Sequence, residues 1–432
     1  MTVTVFLVSL LAAMAVGMPI AYALLVCGVA LMGFLGATSG LVTFDSQILA
    51  QRFVDGADNF PLLAVPFFML AGEFMNAGGL SRRIVNLAMA WVGHFRGGLG
   101  YVTVVAAVIM ASLSGSAVAD TAALAALLIP MMRTAGYNIN RSAGLIASGG
   151  IIAPVIPPSI GMIIFGVAGN VSITKLFLAG IVPGVLMGAA VGLTWWWVAK
   201  KEKVQPAPKL AIPLRLKITA EGTLALALPV IIIGGMKLGV FTPTEAAVVA
   251  AVYSFAVGMF VYRELKWSEL YQLVLTAGKT TAVVMFLVGA AMVSAWLITV
   301  ANIPTEVANM LEPFMGNRML LMFIMMVLIV VVGTALDFTP TVLILTPVLM
   351  PVVLKAGIDP VYFGVLFIMN NAIGLITPPV GTVLNVVCGV AKITMDDAFK
   401  GVLPFLLAQL AVLFLLVLFP QIVTVPLHWW MH

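Results

Sequence analysis

Long apolar stretches separated by short polar segments run through the whole chain. Clear examples cover residues 17–35, 176–198 and 402–423. Each is close to the roughly 20 apolar residues that a helix needs to cross a hydrocarbon core. A helix also satisfies its own backbone hydrogen bonds, as lipid requires. The pattern therefore predicts an all-α integral membrane protein.

An internal repeat is visible at a constant spacing of 221 residues. The matched positions are Pro130 and Pro351, Ala135 and Ala356, Gly136 and Gly357, Pro157-Pro158 and Pro378-Pro379, Gly180 and Gly401, and Pro183 and Pro404. Such a repeat is the first guide to architecture. It predicts two repeats, at 1–199 and 218–432, joined by a Lys- and Pro-rich cytoplasmic linker at 200–217.

Each repeat is predicted to contain five membrane crossings. They cover 3–16, 19–37, 59–78, 141–169 and 174–198 in the first repeat, and 221–239, 244–262, 277–300, 361–390 and 397–423 in the second. Because five is an odd number, the second repeat is expected to be inverted relative to the first. An amphipathic stretch in each repeat lies at 80–96 and at 304–317.

Two apolar pairs, at 98–135 and 319–356, are divided by polar centres of small residues. The centres are Ser112 to Ser116 and Gly333 to Asp337. Their arms of about 15 residues are short for a membrane span. We therefore predict one re-entrant hairpin in each repeat rather than two full crossings.

Consecutive prolines interrupt the spans 141–169 and 361–390 at equivalent positions. Pro157-Pro158 and Pro378-Pro379 each remove two backbone donors from a helix. Irregular backbone at membrane depth is tolerated only where protein or a water-filled cavity receives it. Freed carbonyls can bind a dehydrated cation, and the helix N-termini that follow favour an anion. The alternative for a single Pro-Pro pair is a kinked structural helix.

Composition agrees with the membrane class, since 62% of the residues are apolar and 9% are charged, against about a quarter charged in soluble domains. The net charge of +5 does not predict a nucleic-acid partner, because the basic residues lie between predicted spans rather than on one soluble face. In the predicted topology 16 of the 21 basic residues are cytoplasmic. This asymmetry predicts that both termini are outside.

Asp337 lies at the second hairpin centre, where an ionisable residue at membrane depth is costly and usually functional. We expect it to help bind a coupling cation, and the alternative is an N-cap for a helix beginning near Pro340. Asp120 is interpreted as a cap or a brace of the first hairpin. The neutral oxygen donors at the two centres and breaks are Ser112, Ser114, Ser116, Ser159, Thr334, Thr339, Asn370, Asn371, Thr377, Thr382 and Asn385. Each of them alone could instead hydrogen-bond a nearby helix.

The histidines bear on the coupling ion. His94, His428 and His432 all lie outside the predicted spans, which leaves no imidazole relay for protons. Sodium coupling is therefore favoured over proton coupling.

Three motifs together resemble the large membrane subunit of tripartite ATP-independent periplasmic (TRAP) transporters. They are Ser-Gly-Ser-Ala-Val-Ala-Asp at 114–120, Ala-Pro-Val-Ile-Pro-Pro-Ser at 153–159 and Thr-Pro-Pro-Val-Gly-Thr at 377–382. The resemblance implies a sodium-coupled importer of organic acids, carboxylates or sugar acids, in a bacterial inner membrane. It also implies an elevator mechanism with a scaffold and a transport core, a small four-helix membrane subunit and a periplasmic substrate-binding protein as partners, and no organic cofactor.

The same resemblance implies that sodium ions bind between each hairpin tip and its facing break. The implied sodium-binding residues are Ser114, Gly115, Ser116, Gly150, Pro154, Ser159, Gly333, Thr334, Asp337, Asn371, Gly374, Thr377 and Thr382. The implied substrate-binding residues are Ser112, Ser159, Asn370, Thr382 and Asn385. The amphipathic stretches would be arms between the scaffold and a moving core.

Three other functions were weighed against this one. A stand-alone carboxylate or ion antiporter of related inverted-repeat design would work without a binding protein. An intramembrane aspartyl protease would use Asp120 and Asp337, but it needs two acids that share a proton at close range. A passive channel has no need of two polar hairpins with opposed openings.

Overall fold

The computed structural model describes residues 2–38, 45–200, 206 and 208–431. Within these ranges the chain forms helices and no strand. Ten helical segments of the described chain are long and apolar enough to cross a membrane. The predicted all-α membrane class is therefore confirmed. The linker residues 201–205 and 207 lie outside the described residues.

The first half of the chain contains the helices that carry the first hairpin and the first broken span. They are α1 (Thr2–Ala15), α2 (Ile20–Thr38), α3 (Ser46–Ala57), α4 (Ala64–Ala77), α5 (Leu80–Val92), α6 (Gly98–Ser114), α7 (Ala117–Thr134), α8 (Ile139–Gly150), α9 (Ile160–Gly169) and α10 (Ile173–Ala199). A short 3-10 helix, Phe60–Leu63, leads into α4. We call α6 and α7 the first hairpin, and residues 151–159 the first break.

The second half repeats this order. Its helices are α11 (Ile212–Lys237), α12 (Pro243–Ala256), α13 (Trp267–Val300), α14 (Ile303–Leu311), α15 (Arg318–Ala335), α16 (Phe338–Lys355), α17 (Pro360–Gly374), α18 (Thr382–Ala391), α19 (Met395–Leu418) and α20 (Gln421–Met431). Val257–Val261 continues α12 as one turn of π-helix. We call α15 and α16 the second hairpin, and residues 375–381 the second break.

Four elements differ from the sequence prediction. Helix α11 begins at Ile212, nine residues before the predicted span at 221–239 and inside the predicted linker 200–217. Helix α3 was not predicted, because its polar and charged residues give no membrane-span pattern; Asp45 caps it by accepting a hydrogen bond from the Gln47 amide at 2.7 Å. Helix α13 begins ten residues before the predicted start, since its first turns are polar. The predicted crossing at 397–423 is two helices, with Pro420 between them.

The hairpin arms are longer than predicted. Helices α7, α15 and α16 have 18 residues each, and all three reach a membrane-spanning length. Arm length therefore does not separate a re-entrant hairpin from two crossings. The re-entrant geometry and the inverted orientation of the repeats stay predictions.

Around the breaks, helices of the first half pack against helices of the second half. Helix α7 of the first hairpin packs against α18, and α16 of the second hairpin packs against α9. In the same way α8 packs against α19, and α10 packs against α17. A Cβ on Gly144 would overlap the backbone of Gly401, so glycine allows the close approach of α8 and α19. The hairpins and breaks therefore form one interlocked body.

Two short helices connect this body to the remaining helices. Helix α5 packs against α6 and α11, and helix α14 packs against α16 and α13. Each short helix thus contacts both a hairpin and a helix outside it. Helix α16 also packs directly against α13.

Candidate ion and substrate site

The tip of the first hairpin lies against the first break. Gly115 has a φ of 62°, a left-handed conformation that glycine adopts without a steric penalty, and it turns the chain from α6 into α7. A Cβ at this position would overlap the carbonyl oxygen of Pro158. Ser116 then caps α7, since its Oγ accepts a hydrogen bond from the Ala119 amide at 3.4 Å. The predicted contact between tip and break is present.

Ser159 closes the first break. Its side chain is fully buried, and its Oγ donates to the Pro154 carbonyl at 2.5 Å. The same oxygen accepts a hydrogen bond from the Met162 amide at 3.1 Å, which caps α9. The Pro157-Pro158 peptide inside this loop is cis, as is Pro378-Pro379 in the second break. Ser159 therefore holds the loop together at the point where we predicted a ligand.

Asp120 braces the first hairpin tip. It is buried, and its Oδ1 accepts a hydrogen bond from Ser114 Oγ at 2.5 Å. Ser114 Oγ in turn accepts from the Ser116 amide at 3.1 Å. The other carboxyl oxygen, Oδ2, has no hydrogen-bond partner among the described residues. The brace that we predicted for Asp120 is therefore present, and its Oδ2 remains available to accept a further hydrogen bond or bind a cation.

Two further buried hydroxyls lie on the helices next to this tip. Thr121 Oγ1 on α7 and Ser148 Oγ on α8 have no partner within the described chain. A Cβ on Gly150 would overlap Thr121 Oγ1, so the two helices meet here. Neither Thr121 nor Ser148 was among the predicted site residues. Their positions could have indicated a role at the site, because Thr121 directly follows Asp120 and Ser148 directly precedes Gly149-Gly150.

The tip of the second hairpin meets the second break in the corresponding way. The Val380 amide donates to the Thr334 carbonyl at 3.3 Å, and Thr382 Oγ1 donates to Asp337 Oδ1 at 3.2 Å. Asp337 occupies the N-cap position of α16, but its side chain makes no capping hydrogen bond. Its carboxylate instead faces the break. The structure therefore brings Asp337 and Thr382 together as predicted.

Asn371 supplies a buried oxygen beside this tip. Only 1% of the residue is exposed, and its Nδ2 donates to the Phe338 carbonyl at 2.7 Å. Its Oδ1 has no partner in the described chain, although buried polar atoms normally have one. A Cβ on Gly333 would lie 3.4 Å from that oxygen, and a Cβ on Gly374 would lie 2.6 Å from the Gly333 carbonyl. Side-chain and backbone oxygens therefore converge at the contact of α15 and α17.

Asn370 points away from this cluster. Its Nδ2 donates to the Met326 carbonyl at 2.7 Å, about two turns before the hairpin tip, and its Oδ1 is unpartnered among the described residues. Asn385 donates to the Val380 carbonyl at 2.8 Å, at the end of the break. The predicted substrate-binding residues of the second repeat therefore do not form one cluster. Thr382 and Asn385 lie at the second break, and Asn370 lies against Met326.

Several predicted hydroxyls bond their own helix, the alternative that was left open. Ser112 donates to the Ile109 carbonyl at 2.6 Å, Thr334 to Val331 at 2.8 Å and Thr377 to Ile373 at 3.0 Å. A hydroxyl oxygen that donates still has lone pairs for a cation. These residues can therefore serve as ligands only through those lone pairs or through their backbone carbonyls.

Phe338, which was not among the predicted site residues, contacts both broken helices. Its carbonyl accepts from Asn371 of the second broken helix, and its ring lies against Gly161 in the first turn of α9. The signal in the sequence was a bulky residue directly after Asp337, where the repeat has Ala117. The two tip and break pairs are thus in mechanical contact.

The donor set suits a singly charged cation better than a divalent one. Within the described residues no group of three or more His, Cys, Asp or Glu side chains is placed to hold a metal ion. Divalent cations in proteins usually have several carboxylate ligands. Asp120 bonds Ser114 and Asp337 bonds Thr382, so the two carboxyls are not hydrogen-bonded to each other as a shared-proton pair would be.

Residues 7–422 match the family model described as "Tripartite ATP-independent periplasmic transporter, DctM component". The 2,3-diketo-L-gulonate TRAP transporter large permease protein YiaN of Escherichia coli K12 is 58% identical over 429 residues, which cover 99% of this chain and 100% of that protein. The sialic acid TRAP transporter large permease protein SiaM of Vibrio cholerae is 38% identical over 405 residues, covering 94% and 93%. The C4-dicarboxylate TRAP transporter large permease protein DctM of Pseudomonas aeruginosa is 35% identical over 400 residues, covering 92% and 94%.

Among solved structures, the YdaH transporter of Alcanivorax borkumensis superimposes with a TM-score of 0.68. The match covers 92% of this chain and 96% of that one, at 16% sequence identity. At this identity the likeness concerns the fold alone.

Proposed function

The chain belongs to the DctM family, the large permease component of TRAP transporters, and we propose that it imports an organic acid by sodium coupling. The family expected from the three motifs is confirmed by the match over residues 7–422. Three relatives are named for 2,3-diketo-L-gulonate, sialic acid and C4-dicarboxylates. All three compounds are organic acids, and the first two are sugar acids. A sugar acid is therefore the first substrate to test.

The observation that carries the sodium proposal is the pairing of a hairpin tip with a broken helix in both halves. Around the second tip lie Asp337, Thr382 and the unpartnered Oδ1 of Asn371. A cation bound by both tip and break would hold them together, so binding would favour the closed tip. Unwound carbonyls and helix ends are the usual sodium ligands of such transporters. The remaining predicted sodium-binding residues belong to the same two contacts.

The substrate carboxylate is proposed to bind at the helix ends that follow the breaks. Helices α9 and α18 begin at Ile160 and Thr382, and the dipole at a helix N-terminus favours an anion. Asn385 lies in the first turn of α18 and Ser159 caps α9. In this proposal an acid substrate binds beside the proposed ion sites.

The interlocked packing supports an elevator mechanism. The hairpins and broken helices form one body, and α5 and α14 connect it to helices outside the hairpins. That body is proposed to move as the transport core, with α5 and α14 as arms. The partners in the proposal are a small four-helix membrane subunit and a periplasmic binding protein that delivers the substrate. The location is the bacterial inner membrane with both termini in the periplasm.

Reconstitution tests the proposal. The permease and its two partner proteins are placed in proteoliposomes, and uptake of a radiolabelled sugar acid is measured with an inward sodium gradient or with potassium in its place. We expect uptake only with sodium and only with the binding protein. Equal uptake in potassium would contradict sodium coupling. Uptake without the binding protein would favour the stand-alone antiporter.

A further inference from the structure

A groove with a basic rim and an apolar wall lies where α5 meets the first hairpin and α10. Its volume is about 600 Å³, and it is lined by Val92, Phe95, Arg96, Tyr101, Val104, Val105, Trp196, Ala199 and Lys200. We propose that this groove binds one anionic phospholipid, with the phosphate at Arg96 and Lys200 and an acyl chain along α6 and α10.

Two cationic side chains form the rim. Arg96 Nη2 donates to the carbonyl of Lys200 at 3.3 Å, which holds the two residues together. The ammonium of Lys200 lies 3.3 Å from the ring centroid of Trp196. Both basic side chains remain exposed, and the described residues that line the groove include no acidic one. An exposed pair of positive charges without an acid is a site for a phosphate group.

The wall below the rim is apolar and aromatic. The rings of Phe95 and Tyr101 meet edge to face, with centroids 6.3 Å apart. Val104 and Val105 continue the wall along α6, and Trp196 forms the opposite side on α10. Trp and Tyr are common at the level of lipid headgroups. The basic rim can bind a phosphate group, and the apolar wall can contact an acyl chain. A free phosphate would use only the rim, so the groove matches a phospholipid better.

A second groove at the other hairpin provides a comparison. It has a volume of about 450 Å³ and is lined in part by Arg318, Asp359 and Tyr362. Its residues Met322, Val417 and Pro420 stand 221 residues after Tyr101, Trp196 and Ala199 of the first groove, so the two grooves lie at equivalent places in the repeats. In this second groove Asp359 brings a negative charge beside the single arginine. The comparison explains why the first groove is the one for an anionic lipid.

The position of the charges agrees with the proposed orientation. Arg96 and Lys200 belong to the segments that the distribution of basic residues places on the cytoplasmic side. Basic residues at that surface attract anionic headgroups. The groove also adjoins the end of α5, so the lipid would contact the junction between arm and hairpin.

Native mass spectrometry of the purified transporter complex tests the proposal. Phosphatidylglycerol and phosphatidylcholine with identical acyl chains are titrated against wild type, the double variant Arg96→Gln and Lys200→Gln, and the control Arg318→Gln. We expect wild type and control to retain phosphatidylglycerol, and the double variant to bind it about 30-fold more weakly, since each basic residue contributes roughly a fivefold factor. The double variant Arg96→Lys and Lys200→Arg, which keeps both charges, should bind like wild type.

Three results would overturn the proposal. One is equal retention of phosphatidylglycerol and phosphatidylcholine by wild type. The second is unchanged binding in the neutralised double variant. The third is displacement of phosphatidylglycerol by millimolar inorganic phosphate, which would identify a free-anion site instead of a lipid site.

Discussion

The ring of Phe338 rests on Gly161, so the second hairpin touches the helix that follows the first break. The carbonyl of Phe338 also accepts a hydrogen bond from Asn371 of the second broken helix, at 2.7 Å. One residue at a hairpin tip therefore contacts both broken helices. We therefore expect a movement of this tip to shift both broken helices.

The substitution Gly161→Ala tests this contact. The added Cβ would overlap the Phe338 ring, and such overpacking typically costs about 1 to 3 kcal/mol. We expect a lower melting temperature in detergent and slower uptake. Gly389→Ala in α18 is the matched control, because nothing lies within 4 Å of its Cβ. Equal behaviour of the two variants would contradict the contact.

Asn371→Ala should raise the sodium concentration needed for half-maximal uptake. It removes the unpartnered Oδ1 beside Gly333, and loss of one ligand is expected to weaken binding about tenfold, or about 1.4 kcal/mol. Asn370→Ala is the control, because its amide bonds Met326 on the other side. The readout is the sodium dependence of initial uptake rates. A larger effect on sodium dependence from Asn370→Ala would place the ion elsewhere.

The brace between Ser114 and Asp120 should show energetic coupling. Asp120→Ala leaves the Ser114 hydroxyl without its acceptor, and a buried donor left unsatisfied costs about 1 to 3 kcal/mol. We expect the double variant with Ser114→Ala to lose less stability than the sum of the two single variants. Thermal unfolding in detergent measures all four proteins. Additive losses would mean that the two side chains act independently.

The two arginines at the start of α5 should differ in importance. Both pair with Glu264 Oε1, Arg83 at 2.7 Å and Arg82 at 2.9 Å, but the Arg82 side chain is 60% exposed. Arg83 also stacks over Tyr262, with its guanidinium carbon 3.6 Å from the ring centroid. Arg83→Gln should therefore destabilise by about 1 to 2 kcal/mol. Arg82→Gln should change stability by less than about 0.5 kcal/mol, and the reverse order in thermal unfolding would contradict the role of Arg83 as the anchor of this arm.

The positions of the hairpin tips and breaks could be predicted because local chemistry marks them. Consecutive prolines end helices wherever they occur, and the same spacing marks both copies. That Asp337 at a tip meets Thr382 at a break was implied by the resemblance to TRAP transporters, in which each tip faces a break. The pattern did not reveal which way each side chain points. Neighbours on a helix are turned by roughly 100°, so Asn371 faces the tip while Asn370 faces Met326.

The contact of Phe338 with Gly161, which joins the second hairpin to the helix after the first break, could not be predicted. Phe338 and Gly161 are far apart in the chain, and neither position has a local pattern that names the other. Helix α3 was missed for a different reason, since its charged residues hide it from a search for apolar spans. The end of α19 before Pro420 was missed because apolar residues continue on both sides.

Simultaneous measurement of both fluxes tests the central claim most directly. Sodium-22 and a carbon-14 sugar acid are followed into the same proteoliposomes, which contain the permease with its partner proteins. Sodium entry should depend on substrate and on the binding protein, and Asp337→Ala should abolish both fluxes while the protein remains folded and monodisperse. Substrate entry without sodium-22 entry, or coupled entry unchanged in Asp337→Ala, would contradict a sodium site at the second hairpin tip.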